Sequence, residues 1–415
     1  MSTLLFTVVL LLAELGKAEI AWAVCVAAVA LHPPRGLPPS ARRVLLVLGV
    51  LSVVGLAGAL RHAPRDVVRD AWIFSKLPIE IAFGCVVVRA LGYGRAIQVA
   101  TTVGVLVSAE FVARVLVHLP EYLANTNDAN RAAFGAGSVL SLVAMCYMLE
   151  RSHREAMLVR WRTRRAIVAL GVILCALAVA LSASRTLVVV AAAFVMLKVT
   201  HGWRESPFRA AAASLFAVAC FLSFLLVASG PGTLQSKFRT AAEELTLGDY
   251  ASPEDVNMRW RGYESFLALR QFRQLPVAQK IFGGGFGQRV SLDATMTFHE
   301  RDYEAIPVLH NGYMYVLVKT GYTGIVLFCG SLLLLWRALA KAAEERDGRV
   351  TVFPAFFVAL LAVTSIVAGG PFNKSAVTPV MILCGIAVGT LRARALPYEC
   401  AAQLRAPAAP IGHSG

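Results

Sequence analysis

The sequence has few charged residues for its length. Only 16% of its 415 residues are charged, whereas soluble globular domains carry about 25%. Hydrophobic residues make up 57% of the chain, against roughly 45–50% in a soluble domain. The excess extends over the whole length, which excludes an ordinary soluble enzyme and a disordered chain.

The sequence also lacks the usual motifs of metal and nucleotide chemistry. None of its eight cysteines lies in a CxxC pair or a Cys/His cluster of the kind that binds zinc or iron–sulfur centres. There is no Walker motif or dinucleotide fingerprint, and the glycine run at 283–287 lacks the strand and lysine of a phosphate cradle. We therefore expect neither a metal nor a cofactor.

The net charge of +15 does not form one basic face, so we expect no nucleic-acid partner. Lys and Arg instead collect on alternate connections between apolar runs, in the segments 35–43, 89–95, 151–165, 204–209, 341–349 and 392–405. By the positive-inside rule these connections are cytoplasmic. The same rule puts the long polar stretch near 229–308 on the outside.

The apolar runs are long enough to cross a bilayer core of about 30 Å, which needs roughly 20 residues. They lie near 44–60, 67–88, 96–117, 133–149, 166–183, 186–200, 209–228, 312–340, 352–368 and 376–391. Residues 3–31 form either one long span or two short ones broken at 14–19. We favour two, which predicts an all-α polytopic integral membrane protein with about 12 helices and both termini inside.

This organisation divides the chain into four parts. Helices 1–9 occupy residues 1–228, the outer segment spans 229–308, helices 10–12 occupy 309–392, and a cytoplasmic tail covers 393–415. The outer segment is predicted to be helical near 234–247 and 257–275. It ends in a glycine run that predicts a sharp turn with an exposed backbone. Connections of this length are usually functional.

Several basic residues lie on the outer side, against the positive-inside trend. They are Arg61, Arg65, Arg69, Lys76, Arg185, Arg259 and Arg261. The planar guanidinium group binds phosphate oxygens with two parallel hydrogen bonds, so this set indicates an anionic ligand at the outer leaflet. Headgroup contacts, or ion pairs with Asp66, Asp70 or Glu264, are the alternative interpretation.

His310 lies where the outer segment enters a membrane helix, directly before Asn311. An imidazole at this position is able to accept a proton from a hydroxyl group and act as a general base. A helix cap or an interface hydrogen bond is the alternative role.

Taken in order, these features resemble the O-antigen ligase family, which is related to O-antigen polymerases and protein O-oligosaccharyltransferases. The order comprises a Ser184-Arg185 turn, Asn257-x-Arg259, the glycine run, and His310-Asn311 at a helix start followed by Gly321 and Gly324. The resemblance is specific over about 180–325 and topological over the rest of the chain.

The resemblance implies a GT-C-like glycosyltransferase that joins O-antigen, carried on undecaprenyl diphosphate, to lipid A-core on the periplasmic face of a Gram-negative inner membrane. His310 would be the general base, Arg185 and Arg259 would hold the donor diphosphate, and Lys76 would add charge from a neighbouring helix. Asn311 and Arg261 are secondary candidates. Because Arg261 follows so closely, the choice between it and Arg259 stays open, although we favour Arg259.

With cations in place of a metal, we expect a metal-independent, inverting single displacement. A polymerase would use the same donor chemistry and differ in its acceptor. A protein acceptor is disfavoured by the short C-terminal part. A transporter for anionic lipid-linked glycans, which would not need His310, is the alternative of a different class.

Overall fold

The structure is a computed structural model, and its helices and strands follow the apolar runs of the sequence. The residues that it describes are 2–34, 36–124, 130, 133–134, 138–150, 164–182, 184, 187, 190–191, 194, 256, 259–298, 301–347, 353–367, 369–372 and 377–392. Most of these residues are helical.

The first part of the chain forms helices at most of the predicted runs. They are α1 (Thr3–Glu14), α2 (Ala18–Leu31), α3 (Pro39–Leu56), α4 (Pro64–Leu91), α5 (Tyr93–Val117), α6 (Leu119–Ala124), α7 (Val139–Glu150) and α8 (Arg164–Leu181). The predicted break in residues 3–31 is confirmed, because Gly16 has a positive φ of 71° between α1 and α2. A short 3-10 turn, Ala59–Arg61, joins α3 to α4.

The chain is that of an integral membrane protein. Four described stretches are long and apolar enough to cross a membrane, namely Pro39–Arg61, Pro64–Leu91, Tyr93–Val117 and Gly312–Glu344. The predicted runs at 186–200 and 209–228 lie almost entirely outside the described residues, so the total of twelve spans stays a prediction.

The outer segment contains helices and one β-hairpin. Helix α9 (Trp260–Gln274) confirms the predicted helix near 257–275, and a short helix, α10 (Val277–Phe282), follows it. The predicted helix near 234–247 lies outside the described residues. Strands β1 (Val290–Phe298) and β2 (Arg301–Ile306) pair antiparallel, with Val290 opposite Ile306 and Phe298 opposite Arg301. The all-α prediction was wrong here: apolar and polar residues alternate through 290–298, which favours a strand.

The last part of the chain forms α11 (Gly312–Asp347), α12 (Phe353–Val367) and α13 (Thr378–Gly389), with 3-10 turns at Gly370–Phe372 and Thr390–Arg392. Helix α13 packs closely on α4 because glycines face each other. A Cβ atom on Gly84 would lie 2.1 Å from the Ile382 carbonyl, and one on Gly385 would lie 2.1 Å from the Ile81 carbonyl. Small residues of this kind let membrane helices approach.

The core beneath the outer segment is aromatic. The Phe74 ring of α4 lies 4.8 Å from the ring of Phe286 and 4.9 Å from that of Phe372, and Tyr315 of α11 lies 5.6 Å away. These buried rings join α4, the glycine run and α11 below His310. Their packing holds these elements in fixed positions next to the candidate site.

Candidate functional site

His310 and Glu264 form the centre of the candidate site. The His310 Nδ1 atom lies 2.9 Å from Oε2 and 3.1 Å from Oε1 of Glu264, and the His310 backbone N–H also donates to Oε2 at 3.1 Å. A carboxylate only accepts hydrogen bonds, so Nδ1 must carry the proton of the neutral ring. The lone pair is then on Nε2.

The two side chains differ in exposure in a way that suits a base. The Glu264 side chain is 2% exposed, whereas that of His310 is 52% exposed. The carboxylate is thus shielded from solvent and from substrate, while the imidazole can reach a second molecule. Such a carboxylate holds the ring in one orientation and stabilises the cation that forms when Nε2 takes a proton.

Asn311 gives His310 a defined place at the start of α11. Its side-chain oxygen accepts hydrogen bonds from the backbone N–H groups of Tyr313 at 3.0 Å and Met314 at 3.2 Å. This is an N-cap arrangement, which fixes the helix start. Its amide nitrogen also lies 3.5 Å from the Ser265 hydroxyl. Successive residues of α9 therefore contact successive residues before α11.

Arg259 and Arg261 lie at the start of the helix that carries Glu264. Arg259 is the N-cap residue of α9 and Arg261 is in its first turn. Arg259 precedes Glu264 by five residues, about 7.5 Å along the helix axis, and Arg261 precedes it by three. Both arginines therefore lie within two turns of the carboxylate that contacts His310. Burial, followed by the nearby Asp293 carboxylate, raises the pKa of Tyr263 on the same helix, so this phenol stays neutral.

Lys76 lies in a separate buried pair. Its Nζ atom is 4.0 Å from Glu80 Oε1, and the Thr378 hydroxyl donates to the same carboxylate oxygen at 2.8 Å. Lys76 is twelve residues into α4, which is about 18 Å from the first residue of that helix. The structure therefore pairs Lys76 with a carboxylate within the helix bundle. The diphosphate role stays a prediction.

Arg185 and Asn257 lie outside the described residues. In the turn before Arg185, the Ser182 hydroxyl donates to the Val179 carbonyl and accepts a hydrogen bond from the Ser184 backbone N–H at 3.3 Å. The role predicted for Arg185 accordingly stays a prediction.

The outer arginines at and just before the start of α4 divide into two groups. Arg69 forms ion pairs with Asp66 at 2.8 Å and with Asp70 at 3.2 Å, so the ion-pair interpretation is confirmed for this residue. Arg61 and Arg65 are exposed, and no ion pair of theirs occurs within the described part of the chain. Within the described residues, these are the two arginines of this group that are exposed and form no ion pair.

A buried polar cluster supports the site from below. Asp70 accepts hydrogen bonds from the Tyr315 hydroxyl and the Gly287 backbone N–H, each at 2.7 Å, and its carboxylate lies 2.6 Å from Lys319 Nζ. Lys319 also donates to the Gln288 carbonyl. This cluster links the glycine run to α4 and to the first turns of α11. It therefore fixes the position of the start of α11 relative to α4.

The glycine run is a sharp turn, as predicted, but its backbone is buried. Gly283, Gly285 and Gly287 have φ angles of 81°, 91° and 92°. The N–H groups of Gly284 and Gly285 donate to the carbonyls of Val318 and Lys319 at 2.9 and 3.1 Å. The prediction of an exposed backbone was wrong, because α11 breaks at Gly321 and leaves these carbonyls available to the turn.

Sequence reasoning missed two features of the site. Glu264 was considered only as an ion-pair partner for arginine, whereas it contacts His310. A glutamate in an otherwise apolar stretch of α9, Tyr263 to Leu269, was the available signal. Asp70 and Lys319 were not connected at all, because nothing in their spacing links residues 249 positions apart.

Among the described residues, no group of three His, Cys, Asp or Glu is placed to hold a metal ion.

A family model described as O-antigen ligase matches residues 170–329. The match includes α9, the glycine run and the His310-Asn311 helix start, so the resemblance drawn from the sequence is confirmed over this region. It supports a membrane glycosyltransferase of the O-antigen ligase or polymerase type. No curated protein matches the chain.

Proposed function

We propose that this protein is an O-antigen ligase. It would transfer O-antigen from undecaprenyl diphosphate to a sugar hydroxyl of lipid A-core, on the periplasmic face of a Gram-negative inner membrane. The observation that carries the proposal is the contact between His310 and Glu264 within the matched region. Glu264 lies on α9, which begins directly after Arg259.

The proposed reaction is a single displacement. The acceptor hydroxyl oxygen attacks the anomeric carbon of the donor sugar while its proton passes to Nε2 of His310. The bond between that carbon and the diphosphate oxygen breaks, and the electron pair leaves with the diphosphate. One displacement inverts the anomeric configuration. Glu264 holds the Nδ1–H and stabilises the imidazolium until the proton is lost.

The departing diphosphate gathers negative charge, which fixed cations stabilise. Arg259 and Arg261 both lie at the start of the helix that carries Glu264, and we favour Arg259 because the resemblance implies it. Arg185 and Lys76 would complete the group, with Arg261 as the alternative to Arg259. Guanidinium groups bind phosphate oxygens in pairs, so we expect the reaction to proceed without a divalent metal.

The acceptor distinguishes this proposal from its alternatives. Purified protein in lipid nanodiscs would be incubated with lipid-linked glycan and lipid A-core, and both lipids would be followed by gel electrophoresis. A shift of lipid A-core to slower mobility is the expected result for a ligase. Lengthened lipid-linked glycan with unchanged lipid A-core would instead identify a polymerase, which the family match also accommodates.

Absence of both products would contradict glycosyl transfer and favour a transporter. Proteoliposomes holding lipid-linked glycan in one leaflet would then be tested for its movement to the other leaflet. A ligase should not move this lipid.

A further inference from the structure

Helix α10 presents large apolar side chains to its surroundings. Val277 is 71% exposed, Phe282 is 52% exposed, and Ile281 is also exposed. None of the six residues of α10 is buried. The 3-10 turn between α3 and α4 adds Leu60, which is fully exposed. A cluster of exposed apolar side chains marks a place where another apolar phase or molecule is met.

The glycine run after α10 brings these two elements close together. The Nε2 atom of His62 donates to the Gly284 carbonyl at 2.8 Å. His62 directly follows the 3-10 turn, and Gly284 is two residues after the end of α10. The space around Gly58 is also filled by the glycine run, since a Cβ atom there would lie 2.6 Å from the Gly284 carbonyl. We call the surface made by Leu60, Val277, Ile281 and Phe282 the α10 patch.

The level of the α10 patch relative to the membrane follows from charge spacing on two helices. Between Arg43 and Arg61, and again between Lys319 and Arg337, there are seventeen consecutive uncharged residues. On a helix this is about 26 Å, close to the hydrocarbon thickness of about 30 Å. One border of the hydrocarbon therefore lies near Arg61, which is exposed. Lys319 begins the uncharged stretch of the other helix but is buried against Asp70.

Gly284 connects these two positions. The Gly284 carbonyl accepts a hydrogen bond from the ring of His62, the residue after Arg61. The Gly284 N–H donates to the carbonyl of Val318, the residue before Lys319, at 2.9 Å. Helix α10 ends two residues before Gly284, so it lies at the border of the hydrocarbon. Its apolar side chains continue the surface of α11 that includes Tyr322 and Val326, which are also exposed.

Basic side chains surround the α10 patch. Arg61 and Arg65 are exposed on the 3-10 turn and at the start of α4, and Lys280 is half-buried on α10. Apolar side chains with basic residues beside them are the composition of elements that lie in the interface of a bilayer containing anionic lipid. We propose that the α10 patch is embedded in the membrane leaflet on the side of His310, with Arg61, Arg65 and Lys280 against anionic lipid phosphates.

Photocrosslinking in nanodiscs of phosphatidylethanolamine and phosphatidylglycerol tests the apolar half of this proposal. The photoreactive residue p-benzoyl-phenylalanine would replace Ile281 or Phe282. Val326 of α11 is the matched position inside the uncharged stretch, and the exposed Glu304 of β2 is the matched position outside it. Because the patch and Val326 would share one apolar phase, lipid adducts at 281 and 282 should be within about twofold of those at 326.

Adducts at 281 and 282 should also exceed those at Glu304 by about fivefold or more, since a water-facing side chain meets few acyl chains. Yields equal to those at Glu304 would overturn the proposal. Crosslinks from 281 or 282 to other parts of this chain, or to a second copy, would overturn it too, because the patch would then be covered by protein. The readout does not depend on enzymatic activity.

The charged half is tested with equal amounts of phosphatidylglycerol and phosphatidylcholine. With the label at Phe282, the ratio of the two adducts should exceed about 2, because basic side chains attract the anionic lipid. In the triple variant Arg61→Gln, Arg65→Gln and Lys280→Gln the ratio should fall to about 1. A ratio of about 1 in the parent protein would contradict the headgroup contacts.

Discussion

At the scale of single residues, the proposed base depends on one buried carboxylate. Glu264 accepts hydrogen bonds from both the ring and the backbone of His310, so it fixes the tautomer and the orientation of the base. A glutamine at this position keeps the size of the side chain but is able to donate to Nδ1. The proton would then move to Nε2, where it blocks the base.

Glu264→Gln should therefore lower kcat by about 10²- to 10⁴-fold, the usual contribution of a general base. The KM for the acceptor should change little, because the carboxylate is shielded by the imidazole. Rates of glycan transfer at saturating donor measure both values. Glu304→Gln, an exposed change in the same outer segment, is the control and should leave kcat unchanged. Equal rates in the Glu264→Gln and parent proteins would remove this residue from the site.

Single substitutions also decide whether Arg259 or Arg261 binds the donor diphosphate. Charge-neutral substitution of the residue that holds the diphosphate should cost about 2.7–4 kcal/mol of transition-state stabilisation, by analogy with the loss of an oxyanion donor. We expect this loss of kcat/KM for the donor in Arg259→Gln and a much smaller loss in Arg261→Gln. The reverse order would assign the diphosphate to Arg261.

His310 could be identified from the sequence, because its place at a helix start beside Asn311 is a local feature. Glu264 could not be assigned to it, because that contact depends on how α9 packs against the start of α11. The two residues are 46 positions apart, and no local pattern determines which of several arginines or histidines a carboxylate meets. The site therefore became complete only when the fold was known.

At the scale of elements, the break in α11 connects the glycine run to the membrane helices. Gly321 has φ 66°, and a Cβ atom there would lie 2.4 Å from the Ile281 carbonyl. Both the backbone conformation and the space at this position require glycine.

Gly321→Ala should lower the free energy of unfolding by about 1–2 kcal/mol from the left-handed backbone alone, with a further loss from the contact with Ile281. Gly330→Ala in the same helix is the matched control, because nothing lies within 4 Å of its Cβ position. That variant should be neutral or more stable by up to about 1 kcal/mol. Thermal unfolding midpoints in detergent measure the difference, and equal midpoints for the two variants would contradict the proposed role of the break.

The elements themselves were predictable to different degrees. Long apolar runs determined the membrane helices, since burial in lipid requires them whatever their neighbours are. The β-hairpin was also visible as alternation in residues 290–298, but the helical pattern of the rest of the chain obscured it. The buried course of the glycine run was not predictable, because it depends on carbonyls that a kink 34–38 residues later makes available.

At the scale of the whole molecule, the surplus of positive charge has separate uses. Most of it lies on alternate connections and is predicted to orient the helices. Part of it, including Arg69 and Lys319, neutralises buried carboxylates. What remains on the outer side includes the candidates for diphosphate and lipid phosphate contacts.

If these cations replace a metal, the enzyme should keep full activity after treatment with EDTA. Transfer would be measured before and after metal stripping, and again after magnesium is added back. The expected result is the same rate in all three conditions. A loss of activity that magnesium restores would show that the fixed charges are not sufficient.

In the proposed reaction, His310 removes the proton from the acceptor hydroxyl. The most direct measurement compares transfer of glycan to lipid A-core by the parent protein and by His310→Ala in nanodiscs, with folding checked by thermal unfolding. We predict that His310→Ala unfolds at nearly the same temperature as the parent and transfers no detectable glycan. A folded His310→Ala protein that still modifies lipid A-core would contradict the account.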